Sequence, residues 1–392
     1  MRKTKPGRRR LVRLITLGVF MLLVVAACSG ESEGTTVAPD TTVAPGTTVA
    51  PGTTVAPDTT VASDTTTTTT LSERYTAEEV REATGLFAAV PVYAVPRVLS
   101  GEYTIGFLNP GMSVPTFNDW DKGMRAAAEF YGVDYINVDL ELEFEGTLDK
   151  YEVLAFEEPD VVGTLTTVGE PLLAATTRDG VPLIALDLPI EGALFFGIDS
   201  PQAGRLAGDF LGQRAEILLD GEWEGSDFFF VGLAPPDCEV CVQRIDGGVF
   251  GFREILPLSG DQILRPADAG GTVEEAGFVF ANVLTTHPNA KMFVLAFNAE
   301  SGIAAVQDAK EAGRQDDVII VTMGGTLAER DEIRANPDLL IGAVDFNPWA
   351  EGWNWMEAAI AMAEGDGYGR YAVGSVLTPE NVDIIYSTDG DA

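Results

Sequence analysis

Between residues 103 and 344 the chain carries eight apolar runs of strand length, at 103–108, 135–138, 161–165, 183–186, 228–233, 292–297, 318–322 and 340–344, with helix-compatible segments between them. Several runs are continuous rather than alternating, as in strands buried on both faces. The clearest intervening helix is Ser200–Leu219, where Ala203, Leu206, Ala207, Phe210 and Leu211 follow the i, i+3, i+4, i+7, i+8 template. Ser200 and Pro201 read as its N-cap and first helical residue. A further helix is predicted at 77–87, capped by Thr76 with Glu79 in the box position. Strands alternating with helices select parallel sheets with crossover helices. The 322 residues from Leu71 to Ala392 exceed one such layered unit, so two are expected.

Charge and composition then remove whole classes of function. The chain has 25 Lys and Arg against 60 Asp and Glu, for a net charge of −35. Seven of the basic residues lie in the first 27, which contain no acid, leaving 18 basic against 60 acidic in the remainder. Nothing in that balance would neutralise a phosphate backbone, so a nucleic-acid partner is not expected. His287 is the one histidine, which excludes a His-ligated metal cluster and leaves no second histidine for acid–base work. With no Gly-rich phosphate loop, HExxH or GxSxG motif either, no catalytic residue, cofactor or metal is expected.

The N-terminus reads as an address. A basic stretch through Arg13 precedes 14 mostly apolar residues, 14–27, the length of an export-signal core. It ends in Val25, Ala26, Ala27 and Cys28, which looks like a bacterial lipoprotein cleavage box with lipid carried on the Cys28 thiol. Arg8, Arg9 and Arg10 also resemble a twin-arginine signal, so the export route stays open. From Thr35 the units TTVAPD, TTVAPG, TTVAPG, TTVAPD and TTVASD lead into six threonines ending at Thr70. Such a stretch cannot bury enough apolar surface to offset its ordering entropy, so it is expected to be an extended tether. At about 3.1 Å per residue it reaches at most roughly 110 Å. The expected organisation is a signal at 1–27, a lipid-anchored linker at 28–70 and a helical extension at 71–100. One lobe is expected from 101–198 with 347–373, and a second from 199–346 with 374–392.

Ligands of open parallel sheets bind beyond the carboxyl ends of the strands. Those ends carry Phe117 in the loop after the first run, Asp187 after 183–186, Arg244 after 228–233, Asn298 after 292–297, and Asp345 and Phe346 after 340–344. Carboxylate, amide and guanidinium groups beside aromatic plates suit a small polyhydroxylated ligand, with donors and acceptors for hydroxyls and flat faces for C–H groups. Asp345, Asp246 and Glu300 could instead favour a cationic or amine-bearing solute.

From about residue 102 to 376 the order of segments resembles the ribose-type sugar-binding proteins of bacterial uptake systems. FGIDSPQAGRLAG at 196–208 is similar to that family's VGxDNxxAGRLAG run, where the chain crosses to the second lobe. RIDG at 244–247 resembles its RxxGF helix start, and THPNA at 286–290 with AFNAE at 296–300 resembles AHPDxxAVFAxND. VTMGGT at 321–326 resembles VGFDGT, and FNP at 346–348 resembles QNP. The resemblance implies an α/β fold of two doubly wound parallel-sheet lobes joined by a three-crossing hinge, the type I periplasmic-binding fold. It implies ligand contacts from Arg244 and Asn298, and closure of both lobes on a small polar solute that a membrane permease of an ABC importer then receives. The carrier would be a monomer held extracytoplasmically at the cell membrane through lipid on Cys28; a sensory or quorum-signal receptor would share the fold.

Departures fall on positions that set ligand choice: Gly324 replaces the family's aspartate, Phe346 its glutamine and Leu188 its arginine, while Val114, Pro115, Thr116 and Phe117 replace NPFF. A buried hydroxyl left without its partner costs about 1–3 kcal/mol, so a ligand bonded as ribose is should bind poorly. Cys238 and Cys241 precede Arg244 in a Pro-containing loop. Two cysteines cannot complete a zinc site, and export implies an oxidising compartment, so a structural disulfide is expected, with a thiol redox pair as the alternative. His287 is expected to be structural.

Overall fold

The computed structural model describes residues 74–76, 79, 95–267, 270–365 and 376–386. The export signal, Cys28, the repeat linker and most of the helix expected at 77–87 lie outside them. Its first half runs β1 (Thr104–Asn109), α1 (Pro115–Tyr131), β2 (Asp134–Asp139), α2 (Thr147–Ala155), β3 (Val161–Thr164), α3 (Gly169–Asp179), β4 (Leu183–Leu186) and β5 (Leu194–Phe196). The five strands form a parallel sheet in the order β2-β1-β3-β4-β5. The chain then crosses into α4 (Ser200–Leu219), β6 (Phe228–Leu233), α5 (Glu239–Ile255), β7 (Ile263–Leu264), α6 (Val273–Ala276), α7 (Val279–Thr286), β8 (Lys291–Ala296), α8 (Ala299–Glu311), β9 (Val318–Gly324), α9 (Leu327–Ala335) and β10 (Leu340–Asp345). It returns to the first lobe as α10 (Pro348–Ala363), which packs on α1 and β3, before β11 (Val376–Leu377) and α11 (Val382–Ile385). The second sheet is ordered β11-β10-β9-β8-β6-β7 and is parallel except for β11.

Each of the eight apolar runs contains a strand, with ends moved by no more than two residues. The three strands without a sequence counterpart, β5, β7 and β11, are two or three residues long and lie at sheet edges. Both sheets are buried on both faces. In the first, Ile105 and Phe107 pack toward Trp120 and Trp355, whereas Leu108 and Val162 pack toward Tyr151 and Leu172. In the second, Phe230, Phe293 and Val321 face Ala207 and Phe252, while Val231, Val294 and Ile320 face Phe280 and Val306.

The N-cap of α4 is a correction. Asp199 accepts from the Gln202 backbone N–H at 3.2 Å, and Ser200 is already helical. The carboxylate one residue upstream takes the capping bond, which frees the Ser200 hydroxyl for Arg244. Helices meet through main chain rather than side chain in both lobes. A Cβ added at Gly204 would collide with the Arg244 carbonyl oxygen, and one at Gly352 with the Trp120 carbonyl oxygen. Near the N-terminus, Thr76 and Glu79 form the expected box, with Glu79 Oε2 accepting from Thr76 N at 2.8 Å. Glu79 also pairs with Arg97, and the Tyr75 ring lies 5.0 Å from Phe130 and 5.4 Å from Tyr131, seating this segment on the end of α1. His287 caps α7, its ring 4.3 Å from Phe229.

Candidate functional site

The carboxyl ends of both sheets open onto one cavity of about 340 Å³, walled by side chains from the two lobes and from the crossing segments. Phe117 enters from the first turn of α1, its ring centroid 5.0 Å from that of Trp120, which also lines the cavity. Arg244 rises from α5, where Gly204 lets α4 approach closely enough for Ser200 to meet the guanidinium. Nε donates to Ser200 Oγ at 3.3 Å, Nη1 to the Phe297 carbonyl at 3.1 Å, and the guanidinium carbon stands 4.8 Å above the Phe346 ring. Nη2 is 3.8 Å from Asp187 Oδ2, a charge pairing across the lobes too long for a hydrogen bond.

Asp187 follows β4 with φ of 57°, a left-handed conformation that aspartate tolerates better than most residues. That turn points Oδ1 at the Ile198 N–H, which donates at 2.9 Å. Glu351, on the first turn of α10, accepts from Trp120 Nε1 at 2.7 Å and adjoins Asp187. Burial, then the Asp187 charge, pushes Glu351 well above the usual carboxylate range. Burial also raises Asp187, against the pull of Arg244, and lowers Arg244, against the two carboxyl groups. Asp187, Glu351 and Arg244 thus form one buried group in which Arg244 faces two carboxyl groups, and Glu351 Oε1 has no hydrogen-bond partner among the described residues.

Asn298 lines the cavity but is largely committed elsewhere: Oδ1 caps α8 by accepting from Ser301 N at 2.9 Å, and Nδ2 donates to Gly271 O at 2.7 Å. Cys238 and Cys241 are joined by a disulfide in the cavity wall at the start of α5. Five of the six expected ligand residues, Phe117, Asp187, Arg244, Asn298 and Phe346, thus border one space. Asp345 does not and is corrected: the Tyr386 hydroxyl donates to both its carboxylate oxygens at 2.9 Å, and Asn347 N donates at 2.8 Å, so it fastens the C-terminal segment to the crossing. Asp246 is exposed and paired with Arg265 at 2.5 Å. Glu351 escaped the sequence reading, although it and Glu357 are the two acids in the otherwise apolar run Pro348–Ala363.

Two buried acids behind the cavity give a pH dependence. Burial raises Glu329 to about 7 and Asp345 to about 6, from ordinary values of 4.5 and 3.8. The folded state thus binds these protons more tightly than the unfolded state does. Their favourable contribution is complete below the ordinary values and is lost as pH rises through 6 to 7. Stability is expected to fall between pH 5 and pH 8, Glu329 accounting for about 2–3 kcal/mol. Urea melts of the Glu329→Gln variant at the two pH values should show a smaller fall; an unchanged fall would assign the effect to other groups.

The family model described as "Periplasmic binding protein domain" matches residues 105–367, spanning the first sheet, the second sheet through β10 and the return helix, and the chain belongs to that family. Similar solved structures include an ABC transporter periplasmic solute binding protein from Actinobacillus succinogenes with bound D-allose: 18% identity, TM-score 0.62, covering 72% of this chain and 100% of that one. An ABC transporter solute binding protein from Bacillus halodurans with bound myo-inositol is 19% identical, with TM-score 0.61 and coverage of 74% and 99%. One from Mycobacterium smegmatis with bound glycerol is 20% identical, with TM-score 0.61 and coverage of 72% and 96%. At these identities the likeness is one of fold. No curated protein matches the sequence significantly.

Proposed function

We propose that the protein is an extracytoplasmic solute-binding component of an ABC-type importer, capturing one small polyhydroxylated ligand between its lobes. The observation that carries this reading is the cavity itself: neither lobe closes it alone, and Phe117 and Asp187 of one lobe face Arg244 and Asn298 of the other. A solute touching both sets favours the closed arrangement by its difference in affinity for the two states, and a permease can read closure as occupancy. The sugars and polyols bound by proteins of similar fold support the same ligand class. The apolar segment 14–27, Cys28 and the repeats to Thr70 support export, lipid anchoring and a tether for a monomeric carrier held at the cell membrane. It acts by binding and carries out no reaction.

The test is a thermal-shift panel of pentoses, hexoses and polyols on protein produced without residues 1–28. A ligand at a hundredfold excess over its Kd adds about 2.7 kcal/mol to stability. One member of the panel should raise the midpoint, and Phe117→Ala should weaken that rise. If no member does so, and native mass spectrometry finds no co-purified solute, the carrier reading fails.

A further inference from the structure

Resting on the reading of this cavity as a solute site, we propose that the solute is an amine-bearing polyol whose ammonium group is received by Glu300. Glu300 stands in the first turn of α8, lines the cavity and is 5% exposed. Its Oε1 has no hydrogen-bond partner among the described residues. Thr116 of the opposite lobe lines the cavity with it, and the neighbouring acid Glu329 offers it no positive charge. Arg244, the one basic side chain bordering the cavity, is already balanced by Asp187 and Glu351. Glu300 is therefore a cavity carboxyl group with no countercharge and an unpartnered oxygen; burial raises it above the ordinary carboxylate range, and a bound cation would favour its charged form.

A protonated amine supplies both the charge and up to three N–H donors. A sugar hydroxyl supplies a donor but no countercharge. The walls suit a cation as well, since Phe117, Trp120, Phe297 and Phe346 surround the space and aromatic faces attract ammonium groups. Adjoining the cavity at Leu188 and Cys238, a second, larger hollow of about 790 Å³ is bordered by Glu170 and Glu191 of one lobe and Asp237 and Glu239 of the other, with no Lys or Arg. That field concentrates cations beside the cavity. Drawing those four carboxylates together on closure is unfavourable unless positive charge enters with the solute.

The test is calorimetric titration of the protein, produced without residues 1–28, with D-glucosamine and D-galactosamine. D-Glucose, D-galactose and the two N-acetyl derivatives, which keep the polyol but lose the charge, are the comparison. The amines should bind about tenfold or more tightly than either neutral form, as a charge-assisted bond to a buried carboxylate would give. Glu300→Gln should abolish that preference, leaving each amine and its N-acetyl derivative within about threefold of one another in affinity. Equal or tighter binding of a neutral form overturns the amine assignment and leaves the carrier reading standing, as does a preference that survives in Glu300→Gln. Absence of binding by all six sugars overturns the amine assignment, and the broader panel above then decides the carrier reading. Should Glu300→Gln fail to fold, the comparison of amine with N-acetyl form on the unaltered protein decides the matter.

Discussion

Arg244→Ala is expected to lower the unfolding free energy by about 3 kcal/mol and to abolish solute binding, the first read from urea denaturation and the second from calorimetry. Arg244 and Asp187 are each about 9% exposed at the side chain, and among the described residues no other cation pairs with Asp187. Removing the guanidinium leaves Asp187 either charged without compensation beside the Glu351 carboxyl group or protonated. Both outcomes cost free energy, and the Phe297 carbonyl and Ser200 hydroxyl lose a donor as well. Arg244→Lys should recover part of the stability through its charge, but not binding, because a single ammonium cannot span Ser200, Phe297 and the Phe346 face together. A loss below about 1 kcal/mol for the alanine variant would mean that Asp187 is hydrated rather than dependent on Arg244.

Gly204→Ala should cost about 2 kcal/mol, although alanine is the better helix former by about 1 kcal/mol. The added methyl group meets the main-chain carbonyl of Arg244, which has no rotamer to escape into, so α4 and α5 must move apart. That movement displaces Arg244 and Ser200 together, and solute affinity should fall along with stability. Gly212→Ala on the same helix is the control: its methyl group would lie 3.1 Å from the Ile255 Cβ and 3.3 Å from the Phe252 Cα, rather than colliding with a carbonyl oxygen as at Gly204, and should change stability by less than about 1 kcal/mol. Equal effects at the two positions would show that the helix contact at Gly204 is looser than the structure has it.

The main strands were legible because a strand buried on both faces needs an unbroken apolar run, and such runs stand out in any order of surrounding residues. Strands β5, β7 and β11 were not legible, since two or three residues at a sheet edge carry no period. The same contrast holds in the site. Arg244 and Asp187 could be placed because they follow strands directly, where the topology delivers them to one side of the sheet. Asp345 also ends a strand, yet it turns away to meet Tyr386, a partner 41 residues further on that nothing local announces. Phe346, its neighbour, faces the cavity instead. Glu351 sits inside a helix, and its role depends on α10 lying against α1, a tertiary fact with only an indirect trace in the sequence.

The seating of the N-terminal segment on α1 has a mechanical side. A pull on the chain ahead of residue 74 is first resisted by the Glu79–Arg97 ion pair and by the Tyr75 ring between Phe130 and Tyr131. Each of these lies in the first lobe or in the segment attached to it, away from the crossings at Asp199 and Asn347. Force arriving from that end is borne as shear across one clamped patch, leaving the joint between the lobes free to move under the solute alone.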